Sequence, residues 1–285
     1  MKADLPVSLA APFLALPCVT LSVVSHGHGT DVLQLLADVA RHSARIVEQV
    51  IVTLNVPEPE LSAALESAEW PFEVVLLANT ARQGFGANHN AAFERCRTAY
   101  FGVLNPDIRF SSDPFMPLLG HLQEPRTGCA YPLQACGEGE AFDPARELPT
   151  PASLLRRHLG GAGRGAPQAR EWTNGAFMLF RSSVFRRLGG FDTRYFMYCE
   201  DVDICLRLQD LGFALDGAPE VVVAHRAAHA SRRDLRHLGW HLRSLWRLWT
   251  SGTFLHRLAG GRRAAPPPQE GSGPALDGRR GAPSP

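Results

Sequence analysis

The first hundred residues alternate short apolar runs with amphipathic stretches, and this alternation limits the possible folds more than any other feature of the chain. We predict strands at residues 18–24, 48–54, 72–77 and 100–104, separated by helices at 31–41, 58–68 and from 86 to about 97. Strands and helices that alternate in this way form a parallel sheet with crossover helices. Open sheets of this kind bind ligands at the carboxyl ends of their strands, so we expect the site in the loops that follow the strands.

The remainder of the chain is less regular. Residues 134–170 are rich in Gly, Ala, Pro and Arg with little periodicity, which predicts a long irregular segment. Such a segment is either a lid or acceptor-binding element, or a tolerated surface insertion. Further strands are predicted at 172–180 and 221–224, and helices at 182–188, 201–211 and 231–258. The Pro-, Gly- and Arg-rich tail beyond residue 260 is predicted to be disordered.

The composition is that of an ordinary globular protein. Of 285 residues, 45% are hydrophobic and 20% are charged, and the net charge of +1 predicts no general affinity for nucleic acid. No stretch approaches the ~20 apolar residues of a membrane-spanning helix. The mildly apolar segment 7–16 contains Pro12 and is a poor match to a signal peptide. The six cysteines form no CxxC pair, and we predict reduced core thiols in a cytosolic protein.

An Asn105-Pro106-Asp107 turn follows the apolar strand at 100–104. Pro106 stops the strand and fixes the turn that presents Asp107. A carboxylate held there suits Mg²⁺ or Mn²⁺, hard cations that prefer oxygen ligands and are readily bound through substrate phosphates. Asn-Pro-Asp is also a common turn sequence, so these residues alone leave a purely structural role open.

Three acids lie close together at the start of a predicted helix: Glu200, Asp201 and Asp203. Acids in this position stabilise the free N–H groups and the helix dipole, and Asp203 can pair with Arg207 four residues later. These structural roles explain Asp203 but leave Glu200 and Asp201 available. Adjacent carboxylates in a partly apolar pocket repel each other, so we expect one pKa to rise toward the range of a general base.

His225 follows an apolar strand, which places it, like Asp107, at a strand's carboxyl end. Such a histidine is usually a hydrogen-bonded structural residue, but with Asp107 nearby in the fold it becomes a candidate second metal ligand. His26, His28 and His89 show no metal-ligand spacing, and we assign no metal to them.

The segment at 83–90 follows a predicted strand and opens a helix, and its glycines would let the backbone approach a ligand closely. It imitates a dinucleotide-binding fingerprint, but His89 stands where the third glycine belongs, and the segment follows the third strand rather than the first. A Rossmann dehydrogenase is therefore disfavoured.

The predicted helix at 231–258 combines leucines and tryptophans at i+3/i+4 spacing with six arginines and a single acid, Asp234. It would either lie on an anionic membrane surface or dock on the catalytic domain with its arginines in solvent or on a diphosphate.

Seven short motifs occur in an order that is highly specific, although each is weak alone. They are VTLSVVS at 19–25, GFGANHN at 84–90, LNPD at 104–107, TNGAFML at 173–179, GGFD at 189–192, YCEDVD at 198–203 and AH at 224–225. With these motifs the chain resembles the inverting family-2 glycosyltransferases, in particular their rhamnosyltransferase-like branch, over about residues 18–250.

The resemblance implies a GT-A fold: an open, mostly parallel α/β sheet flanked by helices, with a C-terminal helix. It also implies a divalent metal, Mg²⁺ or Mn²⁺, that holds the donor diphosphate, with Asp107 and His225 as its ligands. We expect the nucleotide-sugar to contact residues of the strand-end loops, namely Ser25, Asn55, Asn79, Gly84, Gly86, Asn90, Asn105 and Asp107.

The resemblance also assigns the acceptor side of the reaction. Asp201 matches the acid that deprotonates the acceptor hydroxyl, and Glu200 is its neighbour. Trp172 and Asn174 are implied to face the acceptor. The metal would neutralise charge on the departing diphosphate while the base activates the attacking oxygen on the opposite face of the sugar.

Two departures from the family pattern bear on these expectations. Relatives usually carry Thr-Tyr-Asn after the first strand and an acidic or Asp-Asn element after the second, where this chain has Ser25-His26-Gly27 and Leu54-Asn55-Val56. Asn55 can accept a hydrogen bond from a pyrimidine N–H but carries no charge, so base recognition would be weaker or altered. The metal turn also has one carboxylate instead of two.

The expected function is inverting transfer of a sugar, with rhamnose as the candidate, from a uridine or thymidine diphosphate donor (UDP or dTDP) to a polysaccharide or lipid-linked acceptor. Two alternatives stay open: a sugar nucleotidyltransferase, which would need a basic residue in the loop at 26–29, and a non-catalytic glycosyltransferase-like binding protein. The expected role is in bacterial cell surface polysaccharide biosynthesis. The predicted location is the cytoplasm, with peripheral contact at the inner face of the plasma membrane.

We expect three parts along the chain. Residues 1–17 form an N-terminal extension, 18–258 form the transferase domain, and 259–285 form a disordered tail. Within the domain, 18–107 is the predicted nucleotide-sugar-binding half and 108–258 the acceptor and catalytic half.

Overall fold

The computed structural model of the chain describes residues 19–135, 141–158, 171–226 and 235–261. The predicted extension at 1–17 and most of the tail predicted to be disordered lie outside these ranges. Parts of the segment predicted to be irregular, and the start of the helix predicted from residue 231, also lie outside them.

A mixed sheet of eight strands forms the centre of the described part of the chain. The strands are β1 (Val19–Ser25), β2 (Val47–Leu54), β3 (Glu73–Ala78), β4 (Tyr100–Leu104), β5 (Ile108–Arg109), β6 (Thr127–Ala135), β7 (Phe177–Arg181) and β8 (Ala214–His225). Their order across the sheet is β3-β2-β1-β4-β7-β6-β8-β5. The strands β3, β2, β1 and β4 run parallel, as predicted, whereas β7 is antiparallel to both of its neighbours.

Helices cover both faces of this sheet. Within the described ranges they are α1 (Gly29–His42), α2 (Pro59–Ser67), α3 (Phe85–Phe93), α4 (Phe115–His121), α5 (Pro151–His158), α6 (Ser182–Leu188), α7 (Glu200–Asp210), α8 (Leu235–Trp249) and α9 (Gly252–Leu258). One apolar core, which includes Leu35, Leu61 and Leu118, joins α1, α2 and α4 to the sheet. A second core around Phe185 and Ile204 joins α3, α6 and α7 to the opposite face. Alternate side chains of the strands supply the two cores.

Two strands differ from their predicted bounds by more than one residue, because long-range pairing outweighs the local pattern. The strand predicted at 221–224 is the end of β8, which begins at Ala214 and pairs along β6. The strand predicted at 172–180 begins only at Phe177, because Trp172 instead forms an isolated bridge with Arg146.

Three helical predictions also need correction. The segment predicted to be irregular contains α5, and α3 ends at Phe93 instead of near residue 97. The single helix predicted at 231–258 is broken at Thr250 and Ser251. The Ser251 side chain caps α9 by accepting a hydrogen bond from Phe254 N.

A third apolar cluster attaches α8 and α9 to α7. It consists of Tyr195, Cys199, Val202, Leu206, Leu245, Leu248 and Phe254. Leu238, Leu242 and Trp246, on the outer face of α8, are instead 54%, 59% and 70% exposed. The leucines predicted to form one stripe therefore lie on two faces, so α8 is docked on the domain and also presents an apolar face to solvent.

The cysteines in the described ranges, at 96, 129, 199 and 205, are buried and free, as predicted. None of the described helices has the length and apolarity needed to cross a bilayer.

Glycines at the start of α3 allow this helix to contact the segment that precedes α7. A Cβ on Gly84 would lie 2.5 Å from the Phe196 carbonyl oxygen, and one on Gly86 would lie 2.6 Å from Phe191 Cβ. One turn later, the Asn90 side chain donates to and accepts from the Phe191 backbone at 2.8 and 2.9 Å. Both glycines are therefore required by protein packing.

We expect Gly86→Ala to lower the free energy of unfolding by about 1–3 kcal/mol, because the added methyl group must displace Phe191. Gly120→Ala in α4 is the matched control. Its Cβ meets nothing within 4 Å, and the change should be neutral or stabilising by up to about 1 kcal/mol. Guanidinium denaturation checks both values. Equal stability of the two variants would contradict the packing role of Gly86.

Candidate active site

The turn that follows β4 and the last residue of β8 lie side by side. β5 pairs antiparallel with the end of β8, with Ile108 opposite His225, and Arg226 N donates to the Asp107 carbonyl at 3.2 Å. This pairing brings His225 Nε2 to 3.5 Å from a carboxylate oxygen of Asp107. The structure therefore places the two predicted metal ligands together.

The chemistry of this pair fits a divalent cation. Burial lowers the pKa of His225, although the charge of Asp107 opposes the shift, so the neutral ring has a lone pair to offer. The two side chains are 14% and 18% exposed, which leaves them open to a ligand. No three His, Cys, Asp or Glu side chains cluster in the described ranges, so phosphate oxygens would have to complete the coordination.

Arg109 holds the Asp107 turn against α1. Its guanidinium group donates to the Pro106 carbonyl at 2.8 Å and pairs with Asp31 at 2.9 Å. It also donates to Gln34 Oε1 at 3.0 Å. Arg109 is not predictable from the sequence, because no local pattern links it to two residues of a distant helix.

The turn formed by Asn174-Gly175-Ala176 contacts both the metal turn and the acidic pair. Asn105 N donates to the carbonyl of Ala176 at 2.8 Å. Gly175 N donates to Asp201 Oδ2 at 3.3 Å. Three consecutive residues therefore link the turn that presents Asp107 to the acidic pair.

The Glu200-Asp201 pair begins α7 in largely apolar surroundings. Glu200 is 5% exposed, and its Oε2 atom has no hydrogen-bond partner among the described residues. Burial, and secondly the charge of Asp201, raises the pKa of Glu200 to about 8. Burial also raises the pKa of Asp201, to about 6, but backbone N–H groups of Val202 and Gly175 stabilise its carboxylate. The predicted rise in pKa is confirmed, and burial is its larger cause.

The structural role predicted for Asp203 is also confirmed. Arg207 Nε donates to Asp203 Oδ2 at 2.7 Å. The same guanidinium group donates to the carbonyls of Leu188 and Gly190 at 2.7 and 2.9 Å, which ties α7 to the end of α6.

The backbone immediately before Glu200 is strained. Tyr198 and Cys199 have φ angles of 73° and 66°, a left-handed conformation that costs a non-glycine residue about 1–3 kcal/mol. Helix α8 holds this segment: Ser244 Oγ donates to the Met197 carbonyl at 2.8 Å, and the Tyr198 hydroxyl lies 2.7 Å from His237 Nδ1. Tertiary contacts thus maintain the conformation that leads into the acidic pair.

The polar residues that follow β2 and β3 form one hydrogen-bonded cluster. Asn55 Oδ1 accepts hydrogen bonds from Asn79 Nδ2 at 2.9 Å and from Gln83 N at 2.8 Å. Asn79 Nδ2 also donates to Asn88 Oδ1 at 2.6 Å. Both lone pairs of the Asn55 carbonyl are in use, so a pyrimidine N–H would have to displace one of these donors.

The other residues predicted to bind donor fall into two groups. Ser25 ends β1 and Asn105 follows β4, so both lie with Asn55, Asn79 and Asp107 at the carboxyl edge of the parallel strands. Ser25 is buried, and its hydroxyl accepts a hydrogen bond from His28 N at 3.2 Å. Gly84, Gly86 and Asn90 contact the segment at 191–196, and a donor contact for these three stays a prediction.

Trp172 and Asn174, predicted to face the acceptor, are partly exposed and have protein partners. Trp172 Nε1 donates to the Glu147 carbonyl at 2.8 Å. Asn174 exchanges two hydrogen bonds with Gln134, at 2.8 and 3.0 Å. Gln134 is not among the predicted site residues, because it lies at the start of the segment predicted to be irregular. A buried polar residue at the end of an apolar strand is the signal that could have found it.

The raised pKa of Glu200 predicts how stability depends on pH. Because the folded-state pKa of about 8 exceeds 4.5, its ordinary value, the folded protein loses stability as pH rises between these values. Glu200→Gln removes this titration, so the variant should gain stability relative to wild type, on the order of a few kcal/mol, between about pH 5 and pH 8. Denaturant unfolding at both pH values measures the change. Glu66→Gln, on the exposed surface of α2, is the control, and identical pH profiles for all three proteins would contradict the assignment.

Comparison with known proteins identifies the family. The sequence profile of Glycosyl transferase family 2 matches residues 23–189. The chain is 29% identical to the rhamnosyltransferase WbbL of Escherichia coli over 249 residues, which cover 80% of this chain and 91% of that protein. It is 33% identical over 164 residues to the N-acetylglucosaminyl-diphospho-decaprenol L-rhamnosyltransferase of Mycobacterium tuberculosis, with 50% of this chain and 52% of that protein covered.

Solved structures share the fold. The mannosyltransferase PcManGT from Pyrobaculum calidifontis, in complex with GDP-Man and Mn²⁺, matches with a TM-score of 0.57 at 18% identity, and covers 81% of this chain and 64% of its own. S. aureus TarS in complex with UDP-GlcNAc matches with a TM-score of 0.58 at 11% identity, with 86% and 73% covered. Because the family profile spans more than half of the sequence, this chain belongs to glycosyl transferase family 2 and is a glycosyltransferase with a GT-A fold.

Proposed function

We propose that this chain is an inverting rhamnosyltransferase that moves the sugar from a uridine or thymidine diphosphate donor to a polysaccharide or lipid-linked acceptor. The observation that carries the proposal is the turn at 174–176, which is hydrogen-bonded both to Asn105 and to Asp201. One short piece of backbone thereby links the turn that presents Asp107 to the carboxylate of Asp201. The proposed transfer would use a cation and a base, because the sugar carbon loses a nucleoside diphosphate on one side and gains the acceptor oxygen on the other.

Rhamnose and the acceptor class are proposed from the relatives. One is named a rhamnosyltransferase, and the other an L-rhamnosyltransferase whose name includes N-acetylglucosaminyl-diphospho-decaprenol. By analogy we propose a sugar diphosphate on a lipid carrier as the acceptor class, and a place in cell surface polysaccharide biosynthesis. We keep residues 18–258 as the proposed domain, with 18–107 as its donor half.

Asp107 and His225 would hold the cation, Mg²⁺ or Mn²⁺, on the donor diphosphate. Asp107 offers a carboxylate oxygen and His225 an imidazole nitrogen, which leaves coordination positions for phosphate oxygens and water. When bound, the cation neutralises the negative charge that develops on the departing diphosphate.

Asp201 is the proposed base. Its carboxylate takes the proton from the acceptor hydroxyl while that oxygen forms a bond to C1 of the sugar and the bond from C1 to the diphosphate oxygen breaks. Attack from the side opposite the leaving group inverts the configuration at C1. Glu200, with a pKa of about 8, keeps its proton at neutral pH, so Asp201 carries the only charge of the pair. A pKa of about 6 leaves Asp201 ionised at pH 7 and still basic enough to accept a proton.

One observation favours a second candidate function, that of a non-catalytic glycosyltransferase-like binding protein. Asn55 is the residue predicted to recognise the nucleobase of the donor. Its side-chain oxygen already accepts two hydrogen bonds from the protein. Turnover measurements separate the two candidates.

We expect release of nucleoside diphosphate from one sugar donor, with Mg²⁺ or Mn²⁺ and an acceptor present, and loss of that activity in EDTA. Asp201→Asn should lower the rate by about 10²–10⁴-fold, because the acceptor proton then has no base. The wild-type rate should rise with pH through about 6, where Asp201 ionises. A panel of uridine, thymidine and guanosine diphosphate sugars, assayed for diphosphate release, measures these effects.

Asp210→Asn, at the other end of the same helix, is the matched control and should retain activity. If every donor stays intact with lipid-linked acceptors present while nucleotide-sugar still binds, the non-catalytic candidate replaces the transferase.

We also propose that α8 and α9 contact an anionic membrane at the inner face of the plasma membrane. Residues 235–261 contain four arginines and no acid. Leu238, Leu242 and Trp246 on α8, with Leu255 and Leu258 on α9, are each at least half exposed. Apolar side chains interleaved with arginines are typical of helices that lie in a membrane interface.

A cleft beside this surface contains two of its arginines. It has a volume of about 570 Å³ and is lined by Arg243, Trp246, Arg247 and Thr250, among others. Neither Arg243 nor Arg247 makes a hydrogen bond or ion pair with another described residue, whereas the two acids in the cleft are each paired with another arginine. Lipid phosphates could therefore pair with both arginines.

Reversal of both charges, in Arg243→Glu/Arg247→Glu, should weaken binding to phosphatidylglycerol vesicles at least about tenfold, since each basic residue contributes about 1 kcal/mol at such a surface. Vesicle flotation measures the binding. Arg95→Glu/Arg97→Glu, the same charge change in the exposed loop between α3 and β4, is the control and should bind as wild type does. Equal losses of vesicle binding in the two double variants, or no vesicle binding by wild type, would exclude a specific membrane surface on α8.

A further inference from the structure

Gln134 occupies a buried position between the proposed metal ligands and the acceptor turn. Its side chain is fully buried, and two backbone hydrogen bonds with Phe142, at 3.0 and 2.8 Å, hold its main chain. Its amide exchanges two hydrogen bonds with Asn174, and its oxygen lies 3.2 Å from His225 Nδ1. Gln134 is neither the proposed base nor a proposed metal ligand, so the proposed mechanism gives its side chain no role.

The backbone N–H of Ala176 determines the orientation of the side-chain amides of Asn174 and Gln134. Ala176 N donates to Asn174 Oδ1 at 3.2 Å, and a backbone N–H cannot act as an acceptor. The other end of this amide, Nδ2, must therefore donate to Gln134 Oε1. That oxygen is also the atom nearest His225, so the hydrogen between them belongs to ring Nδ1.

The position of this proton decides which nitrogen of His225 can bind a metal. A neutral imidazole carries one N–H, so a proton on Nδ1 leaves Nε2 with its lone pair. Nε2 is the ring atom that lies 3.5 Å from the Asp107 carboxylate. Two acceptors that face each other at this distance repel, and a cation between them removes the repulsion. Metal-bound histidines generally donate their other N–H to an oxygen acceptor, as His225 does here.

We propose that Gln134 is a positioning residue that holds His225 in the Nδ1–H tautomer and so keeps Nε2 available for a divalent cation beside Asp107. This proposal rests on the metal-dependent function proposed above. Gln134 also connects His225 to the turn at 174–176, whose Gly175 N donates to Asp201.

The ring tautomer is measurable in the metal-free protein. Long-range proton–nitrogen NMR spectra of labelled protein in EDTA, at about pH 8, above the ordinary pKa of histidine, distinguish protonated from unprotonated ring nitrogens. The ring signals that are absent from the spectrum of His225→Gln are those of His225. We expect a proton on Nδ1 in wild type and in Gln134→Glu, which keeps an acceptor oxygen. Gln134→Leu should lose this preference. A proton on Nε2 of His225 in wild type, or an unchanged His225 tautomer in Gln134→Leu, overturns the proposal.

Metal affinity provides an independent readout. We expect Gln134→Leu to bind Mn²⁺, in the presence of uridine or thymidine diphosphate, about 10–100-fold more weakly than wild type, while Gln134→Glu stays within a few-fold. Calorimetric titration measures the affinities. Gln49→Leu, which replaces another buried glutamine on β2, is the matched control and should leave Mn²⁺ binding unchanged.

The two measurements separate this proposal from the proposed function. If Mn²⁺ binds and Gln134→Leu binds it as tightly as wild type, Gln134 has only a structural role and the proposal fails. If the tautomer depends on Gln134 as expected but wild type binds no Mn²⁺ with either nucleotide, the metal-dependent function fails while the control of the ring by Gln134 stands.

Discussion

The antiparallel pairing of β7 with β4 is the interaction on which the site depends. It runs from Tyr100 opposite Arg181 to Leu104 opposite Phe177, and so joins the parallel strands to the rest of the sheet. Because β4 ends and β7 begins at this last pair, the turn after β4 and the turn before β7 meet there, through the hydrogen bond from Asn105 N to the Ala176 carbonyl. A slip of one residue would move buried side chains to the wrong face and separate these turns.

The acidic pair is costly to the folded protein, and the surrounding packing holds it in place. Burial that raises the pKa of Glu200 to about 8 is unfavourable to the carboxylate, and the left-handed Tyr198 and Cys199 add backbone strain. Helix α8 covers this segment, and the apolar cluster between α7, α8 and α9 stabilises the arrangement. Helix α8 therefore supports the proposed base with one face, while its opposite face remains exposed.

Local patterns are sufficient for some parts of this protein and misleading for others. The strands β1 to β4 and the pair Asp203–Arg207 follow from periodicity and i,i+4 spacing, since neighbours in sequence produce both. The glycines of α3 illustrate the opposite case. Their pattern predicts close approach to a ligand, yet a Cβ on Gly86 would collide with Phe191, a residue far away in sequence. A glycine pattern indicates that another group approaches the backbone closely, but it does not show whether that group belongs to a ligand or to the protein.

The sequence by itself determined the parallel half of the sheet and the residue types of the candidate site, because apolar periodicity and strand ends are local properties. Only the tertiary structure decided which of those residues meet. The pairing of β5 with β8 brings His225 to Asp107, and the burial of Gln134 connects that pair to Asn174. Such contacts join segments far apart in the chain, and their geometry depends on how the whole sheet packs, so no short stretch of sequence encodes them.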